Sequence, residues 1–180
     1  MKAERALCIS SGMTALDIIL RLVSQGDEIV AGDDIYGGSI FDSYRDENLI
    51  SKTLGTNRLL SFMKSQNQTV VHHIDNTNLE EVKSCLSEKT KIVLLETPTN
   101  PLIKIVDIPG ICSMVRQYCP KALVVVDNTM MSPYLQNPLE LGADIVYHSG
   151  TKYLSGHHDL MCGVVGCKSE ELGKVRFRFI

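Results

Sequence analysis

No stretch of this 180-residue sequence stays apolar for the roughly 18 residues that a membrane-spanning helix requires. Residues 1–11 contain Lys2 and Arg5 but lack the continuous apolar segment of a secretory signal peptide. We therefore expect neither a membrane partner nor export. The predicted compartment is the cytoplasm.

Closely paired cysteines are missing as well. The six cysteines form no CxxC motif, and no Cys/His group has zinc-finger spacing. In an intracellular chain of this size, such cysteines usually remain reduced and serve as small buried apolar residues. We therefore expect no disulfide framework and no metal site. The cysteines are at positions 8, 85, 112, 119, 162 and 167.

Neither sign of charge dominates. The 18 Lys and Arg residues face 21 Asp and Glu residues, which gives a formal net charge of -3. This balance argues against a protein that coats nucleic acid or an anionic membrane, and it favours a small-molecule partner. With 44% hydrophobic and 22% charged residues, the chain has an ordinary globular composition, and its length predicts one domain or part of one.

Short runs rich in β-branched residues alternate with segments whose apolar residues have helical spacing. This alternation predicts an α/β fold, and runs such as LVVVD, apolar on both faces, favour a mostly parallel sheet flanked by helices. The predicted strands are 29–31, 69–74, 91–96, 123–127, 144–147 and 163–166, and the predicted helices lie within 13–23, 59–63, 79–86 and 108–115.

Walker, GxGxxG, GxSxG and HExxH motifs are all absent, so nucleotide hydrolysis, dinucleotide binding and zinc proteolysis have no support. Polar and small residues instead gather beside predicted strands and helices, and Asp127 ends the most apolar strand. Ligands of open α/β sheets bind outside the carboxyl ends of the strands, so these residues are the site candidates. The segments are 10–14, 33–38, 96–101 and 149–152.

Taken singly, these features also have ordinary structural explanations. Ser11 before Gly12 and Met13 suits a plain helix N-cap as well as an anion site, because both use the free amides of a helix N-terminus. Asp127 could equally cap a helix or pair with a buried cation. Lys152, flanked by hydroxyl residues, is typical of a solvated surface.

Together the residues meet the needs of pyridoxal 5'-phosphate. This cofactor requires a lysine amine for its aldehyde, an acid beside its ring nitrogen, hydrogen-bond donors for its phosphate and, often, an aromatic platform. Lys152, Asp127, the Gly12 and Met13 amides and Tyr36 are the respective candidates.

Five segments, in order, resemble the Cys/Met-metabolism family of pyridoxal-phosphate enzymes, the cystathionine lyases and synthases. The resemblance covers nearly the whole chain and is greatest to fungal cystathionine β-lyases. It implies the large domain of a fold-type I PLP-dependent transferase-like enzyme. The segments are SSGM (10–13), GDEIVAGDDIYGG (26–38), ETPTNP (96–101), VVDNTMMSPYLQNPLELGAD (125–144) and SGTKYLSGHHD (149–159).

The resemblance implies roles for nine residues. Lys152 and Tyr36 would be catalytic, with Lys152 as the attachment point and Tyr36 stacked on the ring. Asp127 would pair with the ring nitrogen, and Thr129 would support the ring or Asp127. The phosphate ligands would be Gly12, Met13, Ser149 and Thr151. Asn100 would lie near the cofactor's phenolic oxygen or the substrate carboxylate.

Some of these residues have alternative explanations. Tyr36 also suits a hydrophobic core, and Asn100 before a proline also suits a turn. His157, His158 and Asp159 together suggest a metal, but the family has none there, and adjacent histidines point in different directions.

The implied reaction is β-elimination of cystathionine to homocysteine, pyruvate and ammonia, in methionine biosynthesis or transsulfuration. No residue here separates this from cystathionine γ-lyase or γ-synthase activity. The resemblance also implies a homo-oligomer, a dimer or a tetramer.

Three departures from the family affect this expectation. Residues 39–55 intervene where the family runs directly from Tyr-Gly-Gly into a segment like that at Thr56, as an insertion or a translated intron. The chain begins just before SSGM and ends before the smaller C-terminal domain, so 1–180 is expected to be a partial large domain. Without substrate-positioning contacts, turnover is expected to be weak, and a non-catalytic fragment or pseudoenzyme is the second hypothesis.

Overall fold

One seven-stranded sheet organises the computed structural model, which describes residues 1–37, 55–170 and Leu172. The strand order across the sheet is β1-β7-β6-β5-β4-β2-β3. Six strands match the predicted ones, with ends moved by at most two residues. The strands are β1 (Arg5–Ile9), β2 (Glu28–Gly32), β3 (Val70–Ile74), β4 (Thr90–Glu96), β5 (Leu123–Asp127), β6 (Ile145–Ser149) and β7 (Gly163–Cys167).

The sheet is mostly parallel, which confirms the predicted α/β class. β2 pairs in parallel with β3 and β4, and the parallel pairing continues from β4 through β5 to β6. β7 is antiparallel to both β6 and β1, so β1 runs in the same direction as β6. Every strand except β7 therefore ends at the same edge of the sheet.

Helices cover both faces of the sheet. α1 and α2 pack with one buried apolar cluster, and α3 and α4 pack with the other. Within the described ranges, no helix combines the length and apolar character needed to cross a bilayer. The helices are α1 (Gly12–Leu20), α2 (Gly55–Asn67), α3 (Leu79–Cys85), α4 (Ile108–Tyr118) and α5 (Ser132–Leu135).

Alternating side chains of the central strands explain why both faces need helices. On β4, Ile92 and Leu94 join the cluster under α1 and α2, whereas Val93 and Leu95 join the cluster under α3 and α4. All four are at most 2% exposed. Because full burial of such a side chain stabilises the fold by about 1.5–3 kcal/mol, the central strands hold the layers together.

The strand that the sequence analysis missed is β1, at the edge of the sheet. Its residues alternate only weakly in polarity, and three of the five, Arg5, Ala6 and Cys8, are exposed. Edge strands need not be apolar on both faces, so β1 lacks the continuous apolar run that identified β4 and β5.

The predicted insertion, 39–55, lies outside the described residues except for Gly55. The described residues on either side of this segment are in contact, because the Thr56 amide donates to the Tyr36 carbonyl at 2.9 Å. Gly55 (φ +63°) places its backbone against the Tyr36 ring, where a Cβ atom would lie 2.8 Å from Cδ1. A glycine is therefore required at this junction.

Deletion of residues 39–55 is expected to leave the fold intact. The deletion joins Gly38 to Thr56, which keeps a glycine beside Tyr36, and closing a shorter loop costs about 0.6 kcal/mol less for each halving of its length. Thermal unfolding followed by circular dichroism should give a Tm equal to or above that of the parent chain. A variant with 39–55 replaced by a Gly/Ser segment of equal length separates length from sequence, and an unfolded deletion variant would contradict the expectation.

Candidate functional site

A cavity of about 580 Å³ lies at the edge where the parallel strands end, and we call it the strand-end cavity. Its walls come from the segments that follow β2, β4, β5 and β6 and from the start of α1. All nine residues singled out in the sequence line it, namely Gly12, Met13, Tyr36, Asn100, Asp127, Thr129, Ser149, Thr151 and Lys152.

The start of α1 forms one end of the cavity. Ser11 is the N-cap, and its hydroxyl accepts the Thr14 amide at 3.1 Å, as the ordinary explanation predicts. The amides of Gly12 and Met13 have no intrahelical acceptor, and with the helix dipole they form a site suited to an anion. The N-cap and the anion site are therefore compatible.

A close backbone approach fixes this helix start beside the segment after β6. A Cβ atom on Gly12 would lie 2.9 Å from both Cα and Cβ of Ser149. A Cβ atom on Gly163 would collide with the Ser11 carbonyl oxygen. These glycines let the start of α1 approach the end of β6 and the start of β7. This approach brings Ser149 to the anion site.

Asp127 occupies the floor of the cavity at the end of β5. Its Oδ1 accepts the Thr129 amide at 2.9 Å and the Thr129 hydroxyl, and the Tyr147 hydroxyl bonds the same carboxyl group. Burial raises the pKa of Asp127 against these hydrogen bonds. Among the described residues, neither a cation pair nor a helix cap explains Asp127, whereas the predicted support from Thr129 is present.

Glu96 lies next to Asp127 because the register of β4 and β5 pairs the two residues directly. It is 7% exposed and lines the cavity. Burial, followed by the nearby Asp127 carboxyl group, raises the pKa of Glu96 to about 8. Two carboxyl groups buried beside each other disfavour the state in which both are ionised. At neutral pH the pair of Glu96 and Asp127 therefore retains one proton.

The segment after β6 places Lys152 at the cavity wall. The Lys152 amide closes a turn by donating to the Ser149 carbonyl at 3.1 Å, and the residue is exposed. The Thr151 hydroxyl exchanges hydrogen bonds with the backbone of Cys162, accepting from N–H at 3.1 Å. Lys152 is thus a surface residue, as the ordinary explanation predicts, but one that faces the cavity.

Tyr36 and Asn100 also line the strand-end cavity. Tyr36 is 49% exposed, which excludes the alternative of a core tyrosine. Asn100 lies in a turn, as expected before Pro101, and it is also exposed and lines the cavity. Both side chains are therefore available to a ligand.

The cavity also contains residues to which the sequence analysis gave no role, including Glu96, Tyr147 and Met161. Glu96 belongs to the candidate segment 96–101, but its place beside Asp127 depends on strand order and register, which spacing along the chain does not reveal. His157 and His158 lie at the wall. In the part of the chain that the structure describes, no three His, Cys, Asp or Glu side chains form a metal-binding group.

Known proteins are similar to this chain in sequence and in fold. The family model described as "Cys/Met metabolism PLP-dependent enzyme" matches residues 1–179. The chain is 55% identical to a cystathionine β-lyase of Neurospora crassa and 46% identical to a chloroplastic one of Arabidopsis thaliana, over 96% of its length in each case. It covers 34% and 33% of those proteins, so it spans about a third of the curated relatives it matches.

A solved structure extends the likeness to three dimensions. Cystathionine γ-lyase from Lactobacillus plantarum, complexed with L-serine, superposes with a TM-score of 0.83 at 35% identity. The superposition covers 96% of this chain and 40% of that one.

The pH dependence of stability tests the burial of Glu96. Its folded-state pKa of about 8 lies above the ordinary value of 4.5, so the folded chain keeps a proton that the unfolded chain releases. Stability from this group is complete below about pH 4.5 and is lost as the pH rises through about 8. We expect the Tm to fall over this interval, and Glu96→Gln to make the fall shallower.

The matched control is Glu88→Gln, at an exposed glutamate before β4. It should keep the pH slope of the parent chain. Equal slopes in the parent and in Glu96→Gln would show that Glu96 titrates as it does in the unfolded chain.

Proposed function

Because the chain belongs to the family of Cys/Met metabolism PLP-dependent enzymes, we propose that it is part of a carbon–sulfur lyase that cleaves cystathionine by β-elimination. The observation behind this proposal is the strand-end cavity, which gathers Lys152, Asp127 and the α1 amides at one edge of the sheet. No single strand or helix supplies this set, so the fold itself assembles it.

The residues of the cavity fit the family's cofactor, pyridoxal phosphate. Asp127 is a buried carboxyl group with hydroxyl and amide donors from Thr129 and Tyr147 but, in the described ranges, no cationic partner. An uncompensated buried acid is costly unless a cationic donor meets it, and a protonated ring nitrogen is such a donor. The Gly12 and Met13 amides provide the matching site for a phosphate.

Each chain residue then has a distinct task. Asp127 holds a proton at the ring nitrogen, and the α1 amides with Ser149 bind the phosphate. The exposed ring of Tyr36 stacks on the face of the bound ring, since offset aromatic stacking orients planar groups. When bound, the cofactor supplies an electron sink for the substrate Cα.

Lys152 is the proposed catalytic base as well as the attachment point. Its Nζ would remove the Cα proton of the substrate, and the bond from Cβ to sulfur would break with its electron pair leaving on the sulfur, which takes up a proton to become the thiol of homocysteine. Addition of one water then balances the products, which are homocysteine, pyruvate and ammonia. Thr151 and the Lys152 amide hold the turn that presents this side chain.

The choice of β-elimination follows the names of the relatives, whereas the likeness to the γ-lyase structure favours γ-elimination as the second candidate. We also propose that 1–180 is part of a large cofactor-binding domain with 39–55 as an insertion. Its coverage of about a third of the relatives supports this division. A fragment or pseudoenzyme without catalysis is the remaining alternative.

We further propose that copies of the chain associate. Tyr153 and Met161, at the rim of the cavity, are 66% and 73% exposed, and large apolar side chains at such density mark contact surfaces. Sedimentation equilibrium should give at least the mass of a dimer, and Met161→Lys should shift it towards the monomer. A monomeric parent chain at high concentration would contradict this.

The cytoplasm is the proposed location. All six cysteines are free, which suits a reducing compartment. Because the Arabidopsis relative is named chloroplastic, the plastid is the alternative.

The proposed function predicts covalent capture of the cofactor. Mixed with pyridoxal phosphate, the chain should develop a visible absorbance band, and borohydride should fix the cofactor on Lys152, as mass spectrometry of the peptide would reveal. Lys152→Ala should lose both signals. Lys121→Ala, on the surface before β5, is the matched control and should keep both.

The same preparations test the reaction. Cystathionine should yield pyruvate slowly but above the rate with free cofactor, and Lys152→Ala should fall to that background. Formation of 2-oxobutyrate in place of pyruvate would assign γ-elimination. Capture without any keto acid would support the non-catalytic alternative, and failure of capture would contradict the proposed function altogether.

A further inference from the structure

Glu96 is the buried acid of the cavity that the proposed function leaves without a task. It ends β4, between Asp127 on β5 and the segment that follows β2. Its side chain is 7% exposed. A carboxyl group buried this deeply is destabilising unless it makes hydrogen bonds, so its partners indicate what it does.

The partner is the backbone of a cavity residue. Glu96 Oε2 accepts the Tyr36 amide at 2.9 Å. Glu96 ends β4 and Tyr36 follows β2, so this hydrogen bond joins two segments that are separate in sequence.

Packing does little to fix Tyr36. Its ring is 49% exposed. Besides Glu96, the Tyr36 backbone is held by the Thr56 amide on its carbonyl, and its ring touches Gly55. The bond to Glu96 therefore helps to set the position from which the Tyr36 side chain enters the cavity.

We propose that Glu96 is a positioning residue that, through the amide of Tyr36, holds the Tyr36 side chain where it meets the cofactor. The inference rests on the proposed function in that it names the cofactor as the group being met. The tie between the two segments is a property of the chain alone.

The charges around Glu96 agree with this role. Asp34 after β2, Asp127 on β5 and Tyr147 on β6 all act on its surroundings, and Lys152 lines the same cavity. Burial and the Asp127 carboxyl group raise the pKa of Glu96 to about 8, which favours the neutral acid at pH 7. A neutral acid still accepts an amide hydrogen through its carbonyl oxygen. It does so without adding a second charge beside Asp127.

Three substitutions separate the possibilities. Glu96→Gln keeps the carbonyl acceptor and the volume, Glu96→Leu fills the space without an acceptor, and Glu96→Ala removes both. Glu88→Ala, at an exposed glutamate, is the control. Should the alanine variant fail to fold, the leucine variant gives the same comparison, because it leaves no cavity.

The first measurement is amide hydrogen exchange of the cofactor-free chain by NMR. In the leucine and alanine variants, exchange at the Tyr36 amide should rise about tenfold or more, the factor expected for one lost hydrogen bond. Exchange at Val125, inside β5, should not change. The glutamine variant should stay within about threefold of the parent at the Tyr36 amide.

The second measurement is the dissociation constant for pyridoxal phosphate, with the visible circular dichroism of the bound cofactor. The leucine variant should bind about tenfold more weakly, with an altered spectrum, and glutamine should restore both properties. Unchanged protection of the Tyr36 amide in the leucine variant would overturn the inference, as would normal affinity and spectrum despite lost protection. A parent chain that does not bind the cofactor would instead contradict the proposed function, while the exchange data would still decide whether Glu96 joins the two segments.

Discussion

Two carboxyl groups end neighbouring strands, and the chemistry of the cavity depends on their burial together. The direct pairing of Glu96 with Asp127 brings the acids side by side, and desolvation raises the pKa of both. Because two adjacent buried charges repel, the pair favours a state with one proton and one charge. Such a floor stabilises a ligand that offers a cationic N–H at Asp127, and it discriminates against an anionic group there.

The part of the cavity at the start of α1, in contrast, favours an anionic group. The α1 amides and the helix dipole stabilise an anion beside Ser149, and the glycine contacts hold them there. Thr129 connects the two ends, because its hydroxyl donates to Asp127 and accepts the Ser149 amide at 2.8 Å. A ligand with a cationic ring nitrogen and a phosphate would be favoured in the orientation that places the nitrogen at Asp127 and the phosphate at α1.

The sequence predicted the layers and the location of the site because both depend on local patterns. Apolar runs on both faces identified the central strands, and residues after those strands had to meet at one edge. The sequence analysis missed the edge strand β1 because three of its five residues are exposed. It missed the pairing of Glu96 with Asp127 for another reason. Only strand order and register bring the two residues together, and neither can be derived from spacing along the chain.

The cavity residues differ in how the fold holds them. The acid floor and the anion site belong to strands and a helix whose positions are fixed by buried apolar contacts. Lys152, in contrast, lies on an exposed segment, from which the proposed contacts to a substrate would come.

Cystathionine has two carboxylates, and among the described residues the cavity contains no arginine to pair with either. Arginine is the side chain best suited to bind a carboxylate through two parallel hydrogen bonds. A second copy placed over the exposed rim is the proposed source of an arginine for this role. The residues of the strand-end cavity would hold and orient the cofactor, whereas the rate of the proposed elimination would depend on groups brought to its open side.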